Sequence, residues 1–376
     1  MHPRRSGHVA FSLKDKVYVF GGYAEESPEN RYPTNDLWVF DDSKWMQVQT
    51  RDTAINAAQP QQRLAAAAVN CCLKDGTEAG LLVGGWDSQE EGTGGVILQD
   101  LQALTDNNND DVDDNDDDDN DDESNSPVWN SLSFDLEQPT SRLCAVTLPQ
   151  NPKQVLVHNH RCTDHVLIVD MASNKLVQQP TSGTPPSPRG LHACAALPST
   201  ANDKIVLFGG AAQDGNMSNE VFVLDCKTWV WTKVDTSIFD DDNENQQPSP
   251  RASPCIVALN ERTCLLYGGA ARSDEGGLHG CSDTWLLELT ENGGGCDDDD
   301  DDDNHDDEGT IRGRWTCVQQ DGSAEAPPGR NAAQLTPLAA PPNGVSGGEN
   351  AQYFLLSGGW YPFRTTYDDN FVLKVS

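Results

Sequence analysis

The segment HNHRCTDH holds four ligand-capable side chains, His158, His160, Cys162 and His165. On an extended strand His158 and His160 project from the same side, because strand side chains alternate with a period of two. Imidazole with thiolate suits zinc or copper. No second ligand pair is expected elsewhere in the chain, and three histidines in a polar segment are also the make-up of an ordinary solvated loop. No metal or other cofactor is therefore expected, and these four are the residues to check. Motifs of the forms HExxH and GxxxxGK[ST] are absent. A different chemistry recurs along the chain. Arg5, Arg63, Arg142, Arg189, Arg251 and Arg330 each enter a short run of small or apolar residues. A guanidinium fork holds a carboxylate or phosphate by two parallel hydrogen bonds. Such a fork either takes an acidic group of a partner or bonds carbonyls and carboxylates of a neighbouring turn and holds the fold together. Trp86 and the pair Trp360-Tyr361 stand directly after glycine pairs, where they either point outward beside the arginines or pack between repeats.

These residues are positioned by a repeating order of strands. After each arginine comes an apolar run ending in two glycines, as in VYVFGG, GLLVGG, KIVLFGG, CLLYGG and YFLLSGG. The glycine pairs are Gly21-Gly22, Gly84-Gly85, Gly209-Gly210, Gly268-Gly269 and Gly358-Gly359. A third run opens on an acidic or amide residue (DLWVF, NEVFVLD, DTWLLEL), and a fourth carries Trp45, Trp129, Trp231 or Trp315. A worn copy lies between, with RLCAVTL, QVLVHNH, DHVLIVDM and NKLVQQ. Each run is strand-length and bounded by turn formers.

The arginine, diglycine, acid and tryptophan in this order resemble the kelch-repeat β-propellers, and the likeness covers nearly the whole chain. It implies an all-β fold of six four-stranded antiparallel blades in one domain, with repeats at about 5–50, 63–135, 142–180, 189–236, 251–320 and 330–376. The last blade is expected to have three strands, leaving an edge at Asn370 to Val375. The resemblance places the six arginines around one mouth of a central channel, with Trp86, Trp360 and Tyr361 on the same face. Some kelch propellers are enzymes, with a copper site beside a cross-linked Tyr-Cys pair or an iron site of carboxylates and histidine. The expected function is a non-catalytic adaptor that grips a partner's peptide or loop, acidic in character, at the arginine-lined face. The alternative is an enzyme or metal-dependent modifier working near His158 and His160.

Spacings between the arginines of 58, 79, 47, 62 and 79 residues are stretched by acidic insertions. Asp106 to Glu123, Asp297 to Glu308 and Asp240 to Glu244 carry 12, 10 and 4 carboxylates, or 26 of the formal net charge of −35. Such runs cannot bury enough apolar surface to offset chain entropy, so disordered loops are expected at 106–126, 239–248 and 293–310. They would attract basic partners, serve as solubilising padding, and repel bare nucleic acid. None has the calcium-loop pattern. The opening MHPRRSGHVAF is too short and polar for a secretory leader, and no apolar run is long enough to span a bilayer. The eleven cysteines include no CxxC, and Cys144, Cys194 and Cys255 fall in first strands as small core residues. They read as reduced thiols, which places a monomeric protein in cytosol or nucleus.

Overall fold

The computed structural model describes residues 3–27, 29–50, 59–89, 94–106, 126–199, 203–237, 247–291, 310–323, 326–345, 348 and 350–376. The acidic insertions lie almost wholly outside the described residues. No helix occurs among the described residues, and the strands follow the repeats. The first sheet is a meander of Val9–Leu13, Lys16–Ser27, Asn30–Asp41 and Lys44–Val48. Three more meanders join Ala67–Cys72 through Val128–Ser131, Cys144–Leu148 through Lys175–Pro180, and Ala193–Leu197 through Val230–Lys233. A fifth runs from Cys255–Ala258 to Ile311–Gln319. The last repeat has three strands, Gln334–Leu338, Gln352–Ser357 and Asn370–Val375, as its sequence predicts.

The chain falls into two compact units. One comprises residues 1–159, 167–178 and 332–376, and the other 160–166 and 179–331. In the first unit Val9, Phe11, Tyr18 and Phe20 of the first sheet pack with Leu82, Leu104 and Trp129 of the second. Ala10, Val17 and Val19 meet Leu355 on the other side, with Val372 and Trp45 against the cluster. In the second unit Val206, Phe208 and Val223 pack with Leu266, Leu287 and Trp315.

Burial grades across each sheet and explains the pattern of residue types. Second strands are covered on both faces, so Val17, Val19 and Phe20, or Ile205 to Phe208, form unbroken apolar runs. Fourth strands are mostly exposed, as Lys44–Val48 shows, and keep one large anchor. Trp129 meets Phe20 edge-on at 5.1 Å, and Trp315 meets Phe208 at 5.3 Å. Full burial of such a side chain is worth about 1.5–3 kcal/mol.

The glycine pairs have a specific cause. Both members have positive φ, for example +66° and +98° at Gly21 and Gly22. A Cβ on Gly21 would lie 2.8 Å from the carbonyl oxygen of Arg63. The arginine backbone of the following repeat thus lies directly on the diglycine turn. The second glycine then donates its N–H to that carbonyl: Gly22 to Arg63 at 2.7 Å, Gly210 to Arg251 at 2.9 Å, Gly269 to Arg330 at 2.9 Å and Gly359 to Arg5 at 2.9 Å. Any side chain at the first position would force this link apart.

The cysteine reading is corrected at two positions. Cys255 is a buried thiol as expected, whereas Cys144 and Cys194 are disulfide-bonded. Position in a first strand carries no information about a sulfur partner.

Candidate functional site

The side chains of the repeated arginines turn inward. Arg5, Arg63, Arg189, Arg251 and Arg330 are all 3% exposed or less. Arg5 donates from Nη1 to the Gly21 carbonyl at 2.9 Å and forks onto Asp36 at 2.9 and 2.8 Å. Arg63 repeats this with Gly84 at 2.9 Å and Asp100 at 2.8 and 2.9 Å. Arg251 does so with Gly268 at 3.0 Å and Asp283 at 2.6 and 2.8 Å. Arg189 bonds Gly209 at 3.2 Å and Glu220 at 2.8 Å, and Arg330 donates from Nε to Pro328 at 3.0 Å. In these four repeats Asp36, Asp100, Glu220 or Asp283 is therefore the arginine's partner within its own repeat.

Electrostatics follow from these pairs. Burial would raise the carboxyls of Asp36, Asp100 and Asp283, but the hydrogen bonds and charge of their arginines outweigh it and hold each below the usual range. Glu220 also resists its burial: Arg189, Lys233 and Ser218 bring it down to about 2. Forks committed in this way are not available to a partner's carboxylate.

Arg142 differs from the other five. It is exposed and has φ +58°. That conformation belongs two residues after the repeat arginine, as at Gly7, Ala65, Leu191, Ser253 and Ala332. The residue in the arginine's place is Thr140, whose carbonyl accepts the Gly85 N–H at 2.9 Å. The sequence alignment of Arg142 with the other five is thus two residues out of step. Arg142 remains a solvent-facing cation.

The metal reading meets an unfavourable arrangement. His158 ends strand Asn151–His158 and is 1% exposed, and Cys162 is 3% exposed. His165 bonds Asp164 at 2.8 Å. Burial, then the Arg161 charge, lowers the pKa of His160. Within the second unit the ligand atoms of His160, Cys162 and His165 do not gather within 4.8 Å of one another.

The aromatic positions are more informative. Trp86 is half-buried and donates from Nε1 to the Gly94 carbonyl at 3.2 Å. Trp360-Tyr361 pairs with Thr365-Thr366 as a two-stranded ribbon. At its tip Phe363 is 77% exposed, the most exposed large apolar side chain among the described residues. Its ring meets Trp360 edge-on at 5.6 Å, and the Arg364 guanidinium lies 5.0 Å from the Tyr361 ring centre. The ribbon's base is fixed. Thr366 donates to the buried Glu25, which Arg31 also binds at 3.2 Å, and Tyr367 accepts from the Arg5 N–H at 3.2 Å. The sequence singles out Trp360 and Tyr361 and passes over Phe363 and Arg364. The signal was present in WYPFRTT, where a proline-containing turn lifts the phenylalanine away from the strands.

Comparison with known proteins agrees with this architecture. The family described as the KLHDC2/KLHL20/DRC7 Kelch-repeats domain matches residues 155–354, and the Kelch motif matches residues 4–50. Kelch domain-containing protein 2 of Bos taurus is 29% identical over 135 residues, 36% of this chain and 29% of that protein. Host cell factor of Drosophila melanogaster is 23% identical over 311 residues, 76% of this chain and 15% of that protein. Dynein regulatory complex subunit 7 of Chlamydomonas reinhardtii is 31% identical over 93 residues, 25% of this chain and 7% of that protein. The chain thus spans less than a third of the length of each of these relatives. Among solved structures, the one titled Structure of YjhT superposes with a TM-score of 0.60 at 13% identity, covering 99% of this chain and 98% of that one. That likeness concerns the fold, which is an all-β kelch propeller type.

Proposed function

Because the chain belongs to the kelch-repeat family, we propose that it is a non-catalytic protein-interaction scaffold, docking a partner's peptide or loop on the Trp360–Thr366 ribbon. The observation that carries this is Phe363, 77% exposed at the tip of an anchored ribbon and backed by Trp360. Exposed aromatics beside arginine are the usual composition of an interaction hot spot, and a rigid base limits the ordering cost of binding. The partner segment carries an apolar residue for Phe363 and Trp360 and a carboxylate for Arg364, whose planar face rests on Tyr361. Trp86 and Arg142 are secondary contacts in the same unit. The closed arginine–acid pairs and the dispersed histidines favour this reading over an enzyme at His158 and His160. Basic partners drawn by the acidic insertions complete the proposal.

The test is affinity capture from native cell extract with the full chain, comparing wild type, Phe363→Ala and Arg364→Glu. Loss of a discrete partner from both variants, with unchanged melting, supports the assignment. Equal capture by all three would overturn it.

A further inference from the structure

We propose that His279, Cys281 and Asp321 form a zinc-binding site on the second unit, separate from the aromatic ribbon. His279 lies in strand Leu278–Gly280, and Cys281 follows two residues on, so an extended backbone presents both side chains to the same side. His279 Nε2 is 3.7 Å from Cys281 Sγ and 3.7 Å from Asp321 Oδ2. Zinc bonds of about 2.3 Å to sulfur and 2.0–2.2 Å to nitrogen and oxygen place tetrahedral ligand atoms roughly 3.3–3.6 Å apart. The imidazole is therefore near ligand spacing from both neighbours.

The surroundings are those of an open coordination site. All three residues line a cavity of about 570 Å³, which leaves room for a water as fourth ligand. Asp321 is oriented by its other oxygen: Oδ1 accepts from the Ser282 N–H at 2.8 Å and the Ser282 hydroxyl at 2.6 Å, leaving Oδ2 toward the imidazole. Such outer bonds commonly fix a ligating carboxylate. Asp274 and Glu275 stand in the same cavity wall as Arg272 and outweigh its charge. The neighbouring Arg251 charge is matched by Asp283. A thiolate, an imidazole and a carboxylate together suit zinc better than calcium or magnesium. The ligand atoms of the three residues do not all lie within 4.8 Å of one another. Ion entry draws in the side chains of His279 and Asp321, which are 33% and 47% exposed, and the Cys281 thiol releases its proton to solvent.

The experiment titrates the metal-free full chain with cobalt(II), a spectroscopic substitute for zinc, followed by displacement with zinc. One equivalent producing a thiolate-to-cobalt charge-transfer band, bleached by zinc, is the expected result. Cys281→Ser should abolish the band, and His279→Ala should weaken affinity at least about tenfold. Because His279 is partly exposed, its variant keeps the test decisive even if Cys281→Ser folds poorly. No band, a band retained in Cys281→Ser, or equal affinity in wild type and His279→Ala would overturn the site. Binding without a band would assign the cobalt to carboxylates alone.

Discussion

Replacing Arg251 by Ala separates a framework arginine from a ligand-gripping one. Its side chain is 1% exposed and Asp283 only 10%, with fork distances of 2.6 and 2.8 Å. Removing one member of a buried pair leaves an uncompensated charge and costs about 3–5 kcal/mol. The Gly268 carbonyl also loses its donor, worth about 1 kcal/mol. Domain stabilities are about 5–15 kcal/mol, so the variant should lose a large fraction of its folding free energy. Arg142→Ala, at an exposed site, should change stability by no more than about 0.5 kcal/mol. Urea denaturation followed by tryptophan fluorescence measures both. A third variant, Arg251→Met with Asp283→Asn, removes the stranded charge while keeping an acceptor for the Trp285 indole, which now donates to Asp283 at 2.7 Å. Coupling of about 0.5–3 kcal/mol should make the double change milder than the sum of its parts. A folded Arg251→Ala protein of wild-type stability that had lost its partner would refute this reasoning and return the arginine to the binding face.

Acid should unfold the protein through the same pairs. A carboxyl depressed in the folded state adds stability above its unfolded pKa and forfeits it as pH falls through the folded value. For Glu220, lowered from 4.5 to about 2, that window lies between those values, with Asp36, Asp100 and Asp283 acting in the same sense. A pH series of melting temperatures that stays flat below pH 4.5 would contradict it. Gly268→Ala should destabilise more than Gly76→Ala in the same denaturation assay. Both glycines have positive φ, but only at Gly268 would the new Cβ meet a backbone oxygen, at 2.7 Å. Alkylation with mass-spectrometric readout should label half-buried Cys72 and Cys317 before Cys264, which is fully buried with its thiol pushed up to about 12. Cys144 and Cys194 should label only after reduction.

Much of the framework was legible because backbone geometry restricts residue choice. Two adjacent positive-φ positions demand glycine, a strand covered on both faces demands an unbroken apolar run, and a buried guanidinium demands an acid. The candidate site was less legible. The repetition of arginine is equally suited to a ring of ligand grips and to a set of internal clasps, and only burial distinguishes them. Arg142 was misplaced because an arginine two residues late looks the same in a string of letters, whereas φ at that position separates them. Phe363 was missed since exposure at a turn tip leaves no periodic trace. His279 and Cys281 share the spacing of His158 and His160, but Asp321 joins them from a distant segment, which no local spacing encodes.

The link between successive repeats has an evolutionary corollary. What the diglycine N–H requires from the following repeat is a carbonyl oxygen, which every residue type supplies, and Thr140 provides it where the others use arginine. Side-chain erosion can therefore run far ahead of structural loss. A repeat that has shed its arginine still accepts the main-chain bond of the preceding diglycine and keeps its buried apolar strands, Val155 to Val157 among them. Worn copies of this kind, such as the third repeat here, are where inherited sequence signatures fade first while the scaffold goes on tolerating new side chains.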